Sequence, residues 1–313
     1  MGRQMGDRDF RQSGIIENLR TRAVLMTAVR SFFTGRGYLE VETPVRIPAP
    51  APETHIDPVA SEDWYLQTSP ELCMKELLAA GLPKIFQIAK CFRKAERGAK
   101  HLPELTMLEW YGRDFTYRQL MAETEALIRH VARATGAGNM LSFQGNRIDL
   151  SGPWDRLTVE DAFTRYADIS MAQALACGTF DAVIGLTIEP QLGRKKPLFL
   201  YDYPAQMGAL ARLKPSDPTV AERFELYIAG VELCNAFTEL TDPVEQRIRF
   251  TKEMAMRHAL GKPDRPLPER FLSALTHMPD AAGIALGVDR LTMLFTNAAT
   301  IDEVVAFTPE DLL

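Results

Sequence analysis

The sequence contains little cysteine and no long apolar run. Its cysteines, Cys73, Cys91, Cys177 and Cys234, form no CxxC pair, which excludes the usual structural zinc spacings and is typical of a protein from a reducing cytosol. No stretch of about 18 apolar residues predicts a membrane span, and the N-terminus MGRQMGDRDF lacks the apolar segment of a signal peptide. We therefore expect a cytoplasmic protein with no membrane partner.

The chain also lacks an excess of positive charge, because its formal net charge is -5 over 313 residues. Binding to long nucleic acids needs a broad basic surface, so the composition argues against tRNA as a partner and leaves room only for a local phosphate pocket. Hydrophobic residues make up 46% of the chain, which is enough for a large core. Because no composition break marks a second domain, we predict a disordered tail over residues 1–14 and a single domain over residues 15–313.

Regular alternation of strands and helices is missing from the pattern. Helical periodicity and capping signals predict helices over 15–33, 71–81, 116–136, from 158 onward, 243–261 and after 288. Alternating or apolar runs predict strands over 38–44, 85–93, 105–112, 198–203, 222–230, 231–240 and 283–287. Hairpins in mixed order with helices indicate an α+β fold with a largely antiparallel sheet flanked by helices.

One short stretch concentrates positive charge. The segment FRKAERGAKHLPELTMLEWY, residues 92–111, carries Arg93, Lys94, Arg97, Lys100 and His101. In a hairpin of strands 85–93 and 105–112, residues of one parity share a face, so Arg93 would lie on the same face as Glu109 and Tyr111. A guanidinium fork suits a phosphate, and the loop could fold over a polyphosphate. The alternative is a solvated hairpin loop.

Two acids, Glu232 and Glu239, lie on or beside the strand predicted from VELCNAFTEL. Carboxylates close to an arginine site favour Mg²⁺, which takes hard oxygen ligands together with phosphates. The alternative is that both are exposed strand carboxylates.

The segment GIALGVDRL predicts a strand, a glycine turn and a helix. Gly283 and Gly287 permit close backbone approach, and the helix from Val288 presents its N-terminus to an anion. Arg290 in the first turn opposes the helix dipole, so a phosphate partner would explain its place. The alternative is a surface arginine after a glycine-rich turn. For Ser69 and Glu71, at the start of another helix, capping is a sufficient explanation by itself.

Taken in order, these segments resemble a known family. GYLEVETP, the 92–111 segment and GIALGVDRL resemble motifs 1, 2 and 3 of class II aminoacyl-tRNA synthetases, and the likeness covers roughly residues 15 to 308. Within that class the chain is most similar to the elongation factor P–lysine ligases, short paralogues of lysyl-tRNA synthetase. Only about fourteen residues precede the first core helix, where a synthetase carries its anticodon-binding domain. The triplet Ser69-Pro70-Glu71 and the run from Gly283 to Gly287 are also the ligase variants.

The resemblance implies ATP-dependent activation of lysine, preferably (R)-β-lysine, as an aminoacyl-adenylate and its transfer to a lysine of elongation factor P. ATP and Mg²⁺ are the implied cofactors. The implied quaternary structure is a homodimer through the motif 1 segment, about residues 15–44.

The resemblance also implies roles for individual residues. Arg93 would bind the α-phosphate and stabilise its developing charge, Arg290 would hold the γ-phosphate, and His101 would lie in the loop that closes over ATP. Leu233 and Gly287 would complete the ATP site. Glu232 and Glu239 would bind magnesium, with Glu239 also near the amino acid. The distal amine of lysine would contact Glu109 and Tyr111, and the other amine Ser69 and Glu71.

Three positions depart from the family pattern, all in motif 2. Ala95 replaces a glutamate, Leu102 replaces an asparagine, and Leu105 replaces the phenylalanine that stacks on adenine. Stacking on an aromatic ring contributes about 1–3 kcal/mol, so these changes predict either a rebuilt adenine pocket or weak nucleotide binding. The alternatives are a truncated lysyl-tRNA synthetase-like adenylate former with another acceptor, and a non-catalytic paralogue that binds an amino acid.

Overall fold

The computed structural model describes residues 10–313. Within them the α-helices are α1 Arg11–Gly14, α2 Ile16–Thr34, α3 Glu71–Ala79, α4 Tyr117–Ala134, α5 Val159–Tyr166, α6 Met171–Ala176, α7 Phe180–Val183, α8 Pro243–Ala259, α9 Glu269–Ala274 and α10 Val288–Thr296. Short 3₁₀ or π turns cover Ile184–Ile188, Glu189–Gln191, Ala205–Met207, Leu275–His277, Ile301–Val304 and Pro309–Leu312. None of the helices in this part of the chain has the length and apolar character needed to cross a bilayer.

The strands are β1 Leu39–Glu40, β2 Arg46–Ile47, β3 Ala60–Ser61, β4 Trp64–Leu66, β5 Lys84–Phe92, β6 Glu104–Arg113, β7 Met140–Phe143, β8 Asn146–Asp149, β9 Asp155–Thr158, β10 Leu198–Pro204, β11 Leu213–Lys214, β12 Asp217–Ile228, β13 Val231–Thr238 and β14 Ala281–Gly287. The main sheet has nine strands in the order β1-β5-β6-β14-β13-β12-β10-β9, with β11 paired to β12. Only the two end pairs, β1 with β5 and β9 with β10, are parallel. The predicted α+β fold with a largely antiparallel sheet is therefore confirmed.

The hairpin predicted from the cationic stretch is present. Strands β5 and β6 pair antiparallel with Gln87 opposite Glu109 and Cys91 opposite Leu105, so odd-numbered residues of both strands share a face. Even-numbered side chains such as Phe86 and Trp110 belong to the main core, which α2, α4 and α10 also line. Helices cover that face, and the opposite face is available for a site.

The second predicted hairpin, of β12 and β13, turns at Ala229 and Gly230, which both have positive φ, 54° and 72°. Its register shifts between Leu226 and Tyr227, which pair with Cys234 and Glu232, so Leu233 is an extra residue. Such a bulge changes the alternation of side chains. As a result Glu232 and Asn235, three residues apart, both line the same cavity.

The predicted tail differs from the structure over part of its length. Residues 1–9 lie outside the described residues, but Arg11–Gly14 forms a helical turn. Arg11 lies 2.7 Å from the Asp311 carboxylate and donates to the carbonyl oxygen of Asp302 at 2.7 Å. These contacts with the C-terminal segment hold Arg11–Gly14 in place, although the composition of the stretch had predicted disorder. The single domain over residues 15–313 stays a prediction.

Candidate active site

A cavity of about 570 Å³ opens on the face of the sheet opposite α2 and α4. That volume lies within the range of pockets that bind small ligands. Eight of the predicted site residues line it: Ser69, Glu71, Arg93, His101, Glu232, Leu233, Gly287 and Arg290. They come from α3, the β5–β6 hairpin, β13 and the β14–α10 turn, so the structure brings distant segments into one site.

One end of the cavity is cationic. The nearest carboxylate to the Arg93 guanidinium is that of Glu96, with an Nη1 to Oε2 distance of 3.7 Å, too long for a hydrogen bond. Arg290 donates from Nη1 to the backbone oxygen of Glu232 at 3.0 Å and lies 3.2 Å from the Glu232 carboxylate. Both guanidiniums therefore have donors left for an anion.

His101 closes the loop against Arg290. Its Nε2 lies 2.6 Å from Arg290 Nη2, and burial together with the Arg290 charge lowers the pKa of His101. The lowered pKa favours the neutral imidazole, whose Nε2 then accepts a hydrogen bond from the Arg290 N–H. Because the imidazole is neutral, the positive charge of this pair lies on Arg290.

Two other cations of the loop, Arg97 and Lys100, contact groups elsewhere in the protein. Arg97 pairs with Asp302 at 2.9 Å and with Glu310 at 3.0 Å, which fastens the loop to the C-terminal segment. Lys100 donates to the carbonyl oxygen of Gly230 at 3.2 Å. Arg97 and Lys100 also line the cavity, so they contribute positive charge to it while their contacts hold the loop in position.

Behind Ser69 and Glu71 lies an acidic and deeply buried part of the site, whose residues Glu109, Tyr111 and Glu239 are not among those that line the cavity. Glu109 accepts a hydrogen bond from Ser69 Oγ at 2.5 Å and another from the Tyr111 hydroxyl at 2.8 Å. Burial, aided by the charge of Glu71, raises the pKa of Glu109 to about 8. A carboxylate with such a pKa is poised to ionise when a cation arrives.

Glu239 reaches the same region from the end of β13. Its Oε2 lies 2.5 Å from the ammonium of Lys75, and its Oε1 has no hydrogen-bond donor among residues 10–313. Burial raises the pKa of Glu239 to about 8, although Lys75 opposes the shift. The free oxygen is an acceptor without a partner, which is costly unless a ligand fills the role.

The predicted magnesium pair, Glu232 and Glu239, stays a prediction. Glu232 contacts Arg290 and Glu239 contacts Lys75. One of the acids that share the cavity with Glu232 is Glu225 on the neighbouring strand. Burial raises the pKa of Glu225, and the negative charge of Glu232 contributes to the rise. The sequence did not predict that Glu225 and Glu232 share the cavity, because their placement depends on the bulge at Leu233.

The structure places the three departures in motif 2 and explains one of them. Leu102 is buried in a small core with Met293 and Ile301, so it anchors the loop. Ala95 has a φ of 63°, in the left-handed region. Leu105, Met107 and Ile301 all line the cavity, which gives it an apolar side without an aromatic ring.

Sequence reasoning missed three further charged groups at the site. Lys75 is a buried cation, and Arg223 and Glu53 are a partly buried cation and a partly buried acid that line the cavity. Lys75 follows Glu71 by four residues, the spacing of a helical ion pair, and that signal was available. The pairing of Arg223 with Glu225 at 2.6 Å spans two residues of one strand, a spacing that predicts only a shared face.

An antiparallel sheet with an arginine of a β-hairpin and an arginine of a strand–helix turn over one cavity defines a class II synthetase-like catalytic domain. The tRNA synthetases class II (D, K and N) family matches residues 5–311. A protein of Pectobacterium carotovorum named elongation factor P–(R)-β-lysine ligase is 41% identical, over 96% of this chain and 98% of that protein. Proteins of the same name from Erwinia tasmaniensis and Vibrio vulnificus are each 38% identical, over 96% of this chain and 97% and 98% of theirs. The chain belongs to the class II tRNA synthetase family and, within it, to the family of elongation factor P–(R)-β-lysine ligases.

Proposed function

We propose that this protein activates (R)-β-lysine with ATP and transfers it to a lysine side chain of elongation factor P. The substrate carboxylate attacks the α-phosphorus and displaces pyrophosphate, which gives an aminoacyl-adenylate. The acceptor amine then attacks the carbonyl carbon, forms an amide and releases AMP. As modification of a translation factor, the reaction belongs in the cytoplasm.

The observation that carries the proposal is the division of one site into a cationic and an acidic end. Arg93 and Arg290 line the cavity with guanidinium donors to spare. Glu109 and Glu239 are buried beyond Ser69 and Glu71 with raised pKa values. A triphosphate and a diamine are the ligands that such a division would accommodate, because each buried charge needs an opposite charge.

Arg93 and Arg290 would act by charge stabilisation. Donors fixed in advance around a phosphorus centre stabilise the charge that develops during attack without reorganising. Arg290 would hold the outer phosphates that leave as pyrophosphate. No covalent enzyme intermediate is needed, since positioning and electrostatics supply the catalysis.

Magnesium would be held by Glu232, with Glu225 as the second acid. The fit rests on the Glu232 carboxylate, which lines the cavity beside Arg290, and on the preference of Mg²⁺ for a few carboxylates together with phosphate oxygens. When bound, the ion neutralises phosphate charge. Glu239 is assigned to the amino acid instead.

The adenine ring would lie against the aliphatic side chains Leu105, Met107 and Ile301. Apolar contact supplies binding at roughly 25 cal/mol per Å², but without the ring stacking of the family pattern. We therefore expect ATP affinity below that of a protein with an aromatic residue at position 105.

ATP–pyrophosphate exchange tests the proposal. Wild-type protein is assayed with (R)-β-lysine and with α-lysine, and exchange is expected with the β isomer. Arg93→Ala is expected to lower exchange by about 10²–10³-fold, the usual cost of one charge-stabilising donor. Lys90→Ala is the matched control, because Lys90 lies three residues earlier on β5 and pairs with Glu104 at the surface.

Three outcomes lead to different conclusions. Absence of exchange with both isomers refutes the enzymatic proposal and favours a non-catalytic amino-acid-binding protein. Exchange without subsequent labelling of elongation factor P means that another molecule is the acceptor. Full activity of Arg93→Ala would show that the phosphate assignment is wrong.

A further inference from the structure

Lys75 is a buried cation inside the acidic end of the site. It lies on α3, one turn after Glu71, and its side chain is 1% exposed. Burying an ammonium is costly unless carboxylates surround it. An aliphatic side chain would pack equally well at this position. The presence of a lysine there therefore needs an explanation other than packing.

The ammonium joins two acids that come from different elements. It lies 2.5 Å from Glu239 Oε2 and donates a hydrogen bond to Glu71 Oε1. It also lies 5.0 Å from the centre of the Phe237 ring, a cation–π distance. Burial lowers the pKa of Lys75, but the charges of Glu239 and Glu71 outweigh it and raise the pKa overall, so the group is charged.

The positive charge of Lys75 offsets the electrostatic repulsion among Glu71, Glu109 and Glu239. Burial and the charge of Glu71 raise the pKa values of both Glu109 and Glu239, and the charge of Lys75 lowers both. Without this cation, the carboxyl groups would hold their protons to a still higher pH. A protonated carboxyl group is a poor partner for a substrate ammonium.

We propose that Lys75 is the fixed internal counter-ion of the amino-acid pocket, a positioning residue that makes the pocket specific for a substrate with two ammonium groups. The proposal deepens the proposed function and rests on it. Lys75 contacts Glu71 and Glu239, and its charge also acts on Glu109 without a direct contact, so two negative charges stay unmatched when all three acids are ionised. A diamino acid matches both charges, whereas an amino acid with one amine leaves a buried carboxylate without a partner.

The test compares Lys75→Met with Lys75→Arg in ATP–pyrophosphate exchange. Methionine keeps the shape and removes the charge, so we expect the KM for (R)-β-lysine to rise at least tenfold while the KM for ATP stays within twofold. The defect should shrink as the pH rises from 7 to 9, because the acids then ionise without help. Lys75→Arg should stay within about threefold of wild type, and Lys90→Met, on the other face of β5, should match wild type.

A second variant tests the proposal even if Lys75→Met fails to fold. Lys75→Ala is purified with propylammonium, which can replace the missing ammonium, and is assayed in its presence and after its removal. We expect propylammonium to restore the low KM for the amino acid, and 1-propanol, which is similar in shape and uncharged, to have no effect. Equal rescue by both would show that Lys75 only fills space and would overturn the proposal.

The remaining outcomes are distinguishable. A Lys75→Met protein whose KM for (R)-β-lysine is unchanged, or whose KM values for ATP and amino acid rise together, contradicts the role of Lys75 while wild-type exchange still supports the proposed function. Wild-type protein that exchanges with neither lysine isomer refutes the proposed function itself.

Discussion

Gly283 lies in the middle of β14, where the side chains of Tyr111 and Glu239 pack directly against its backbone. A Cβ atom added there would lie 2.6 Å from Glu239 Oε1 and closer still to the ring of Tyr111. Both neighbours are held, Glu239 by Lys75 and Tyr111 by its hydrogen bond to Glu109. The glycine is therefore required by close approach and not by backbone conformation.

Gly283→Ala should raise the KM for (R)-β-lysine about tenfold or more, because Tyr111 and Glu239 must move to admit the methyl group. Overpacking of this kind costs roughly 1–3 kcal/mol of unfolding free energy. Kinetics and urea unfolding measure the two effects. Gly14→Ala is the control, since nothing lies within 4 Å of a Cβ at that position, and an unchanged KM in Gly283→Ala would contradict the packing described.

Binding of the amino acid should strengthen as the pH rises from 6 to 8. Burial raises the pKa values of Glu109 and Glu239 from 4.5 to about 8, so in the ligand-free protein both carboxyl groups are largely protonated at pH 6, and a substrate ammonium needs them ionised. Each group can contribute up to about a tenfold change in affinity per pH unit.

Stability of the ligand-free protein should change in the opposite direction. The folded protein keeps protons on these groups that the unfolded chain releases above pH 4.5, so their contribution to the free energy of unfolding falls as the pH rises from about 4.5 to 8. Thermal unfolding with and without lysine across this range measures both trends. A ligand-induced shift in Tm that does not depend on pH would contradict the assignment, and Glu109→Gln should make the dependence shallower.

At the scale of elements, the site depends on how α2 holds the β14–α10 turn. Arg22 of α2 lies 2.7 Å from the buried Asp289 of α10, and the other Asp289 oxygen accepts the backbone N–H of Thr106 on β6 at 2.8 Å. One carboxylate thus ties the helix, the turn and the hairpin together. Arg290, the next residue, takes its direction from this connection.

Arg22→Met should lower the free energy of unfolding by about 3 kcal/mol, because removing one partner leaves a buried charge unpaired. It should also reduce exchange activity, since Arg290 loses its support. Chemical denaturation and exchange measure the effects, and Arg20→Met, which removes an exposed pair with Glu17, is the control. The double variant Arg22→Met, Asp289→Asn should recover part of the stability, and no recovery would show that the pair is not the cause.

Local patterns predicted the longer helices and strands and one face of the site, but not the short strands β2–β4 and β7–β9 or the short helices α6, α7 and α9. Alternation placed Glu109 and Tyr111 together, and capping residues placed α4, α5 and α8, where Asp242 accepts from the N–H groups of Val244 and Glu245. The ion pair of Lys75 with Glu239 and the shared cavity position of Glu232 and Glu225 were not predicted. They depend on the register of β12 with β13 and on the docking of α3 against the sheet, which no local pattern encodes.

At the scale of the whole molecule, the predicted homodimer remains a prediction. Several large apolar side chains of the motif 1 segment are exposed, among them Ile16, Val24 and Leu39. Exposed apolar residues that cluster on one segment are typical of a contact with a partner. A second copy of the chain is the partner that the resemblance implies.

Leu39→Glu should convert a dimer into a monomer, because a charge in an apolar interface is costly to bury. Light scattering coupled to gel filtration measures the mass. Leu186→Glu, at a more exposed leucine outside this segment, should leave the mass unchanged. A wild-type protein that is monomeric at micromolar concentration would contradict the prediction.

The central claim is that one cavity holds a triphosphate at its arginines and a diamine at its acids. The most direct measurement is a crystal structure with a non-hydrolysable sulfamoyl analogue of the lysyl-adenylate. The account predicts the sulfamate within hydrogen-bonding distance of the Arg93 guanidinium, and one amine of the aminoacyl group within the same distance of Glu239 Oε1. An analogue bound elsewhere, or bound here with its amines pointing away from Glu109 and Glu239, would contradict it.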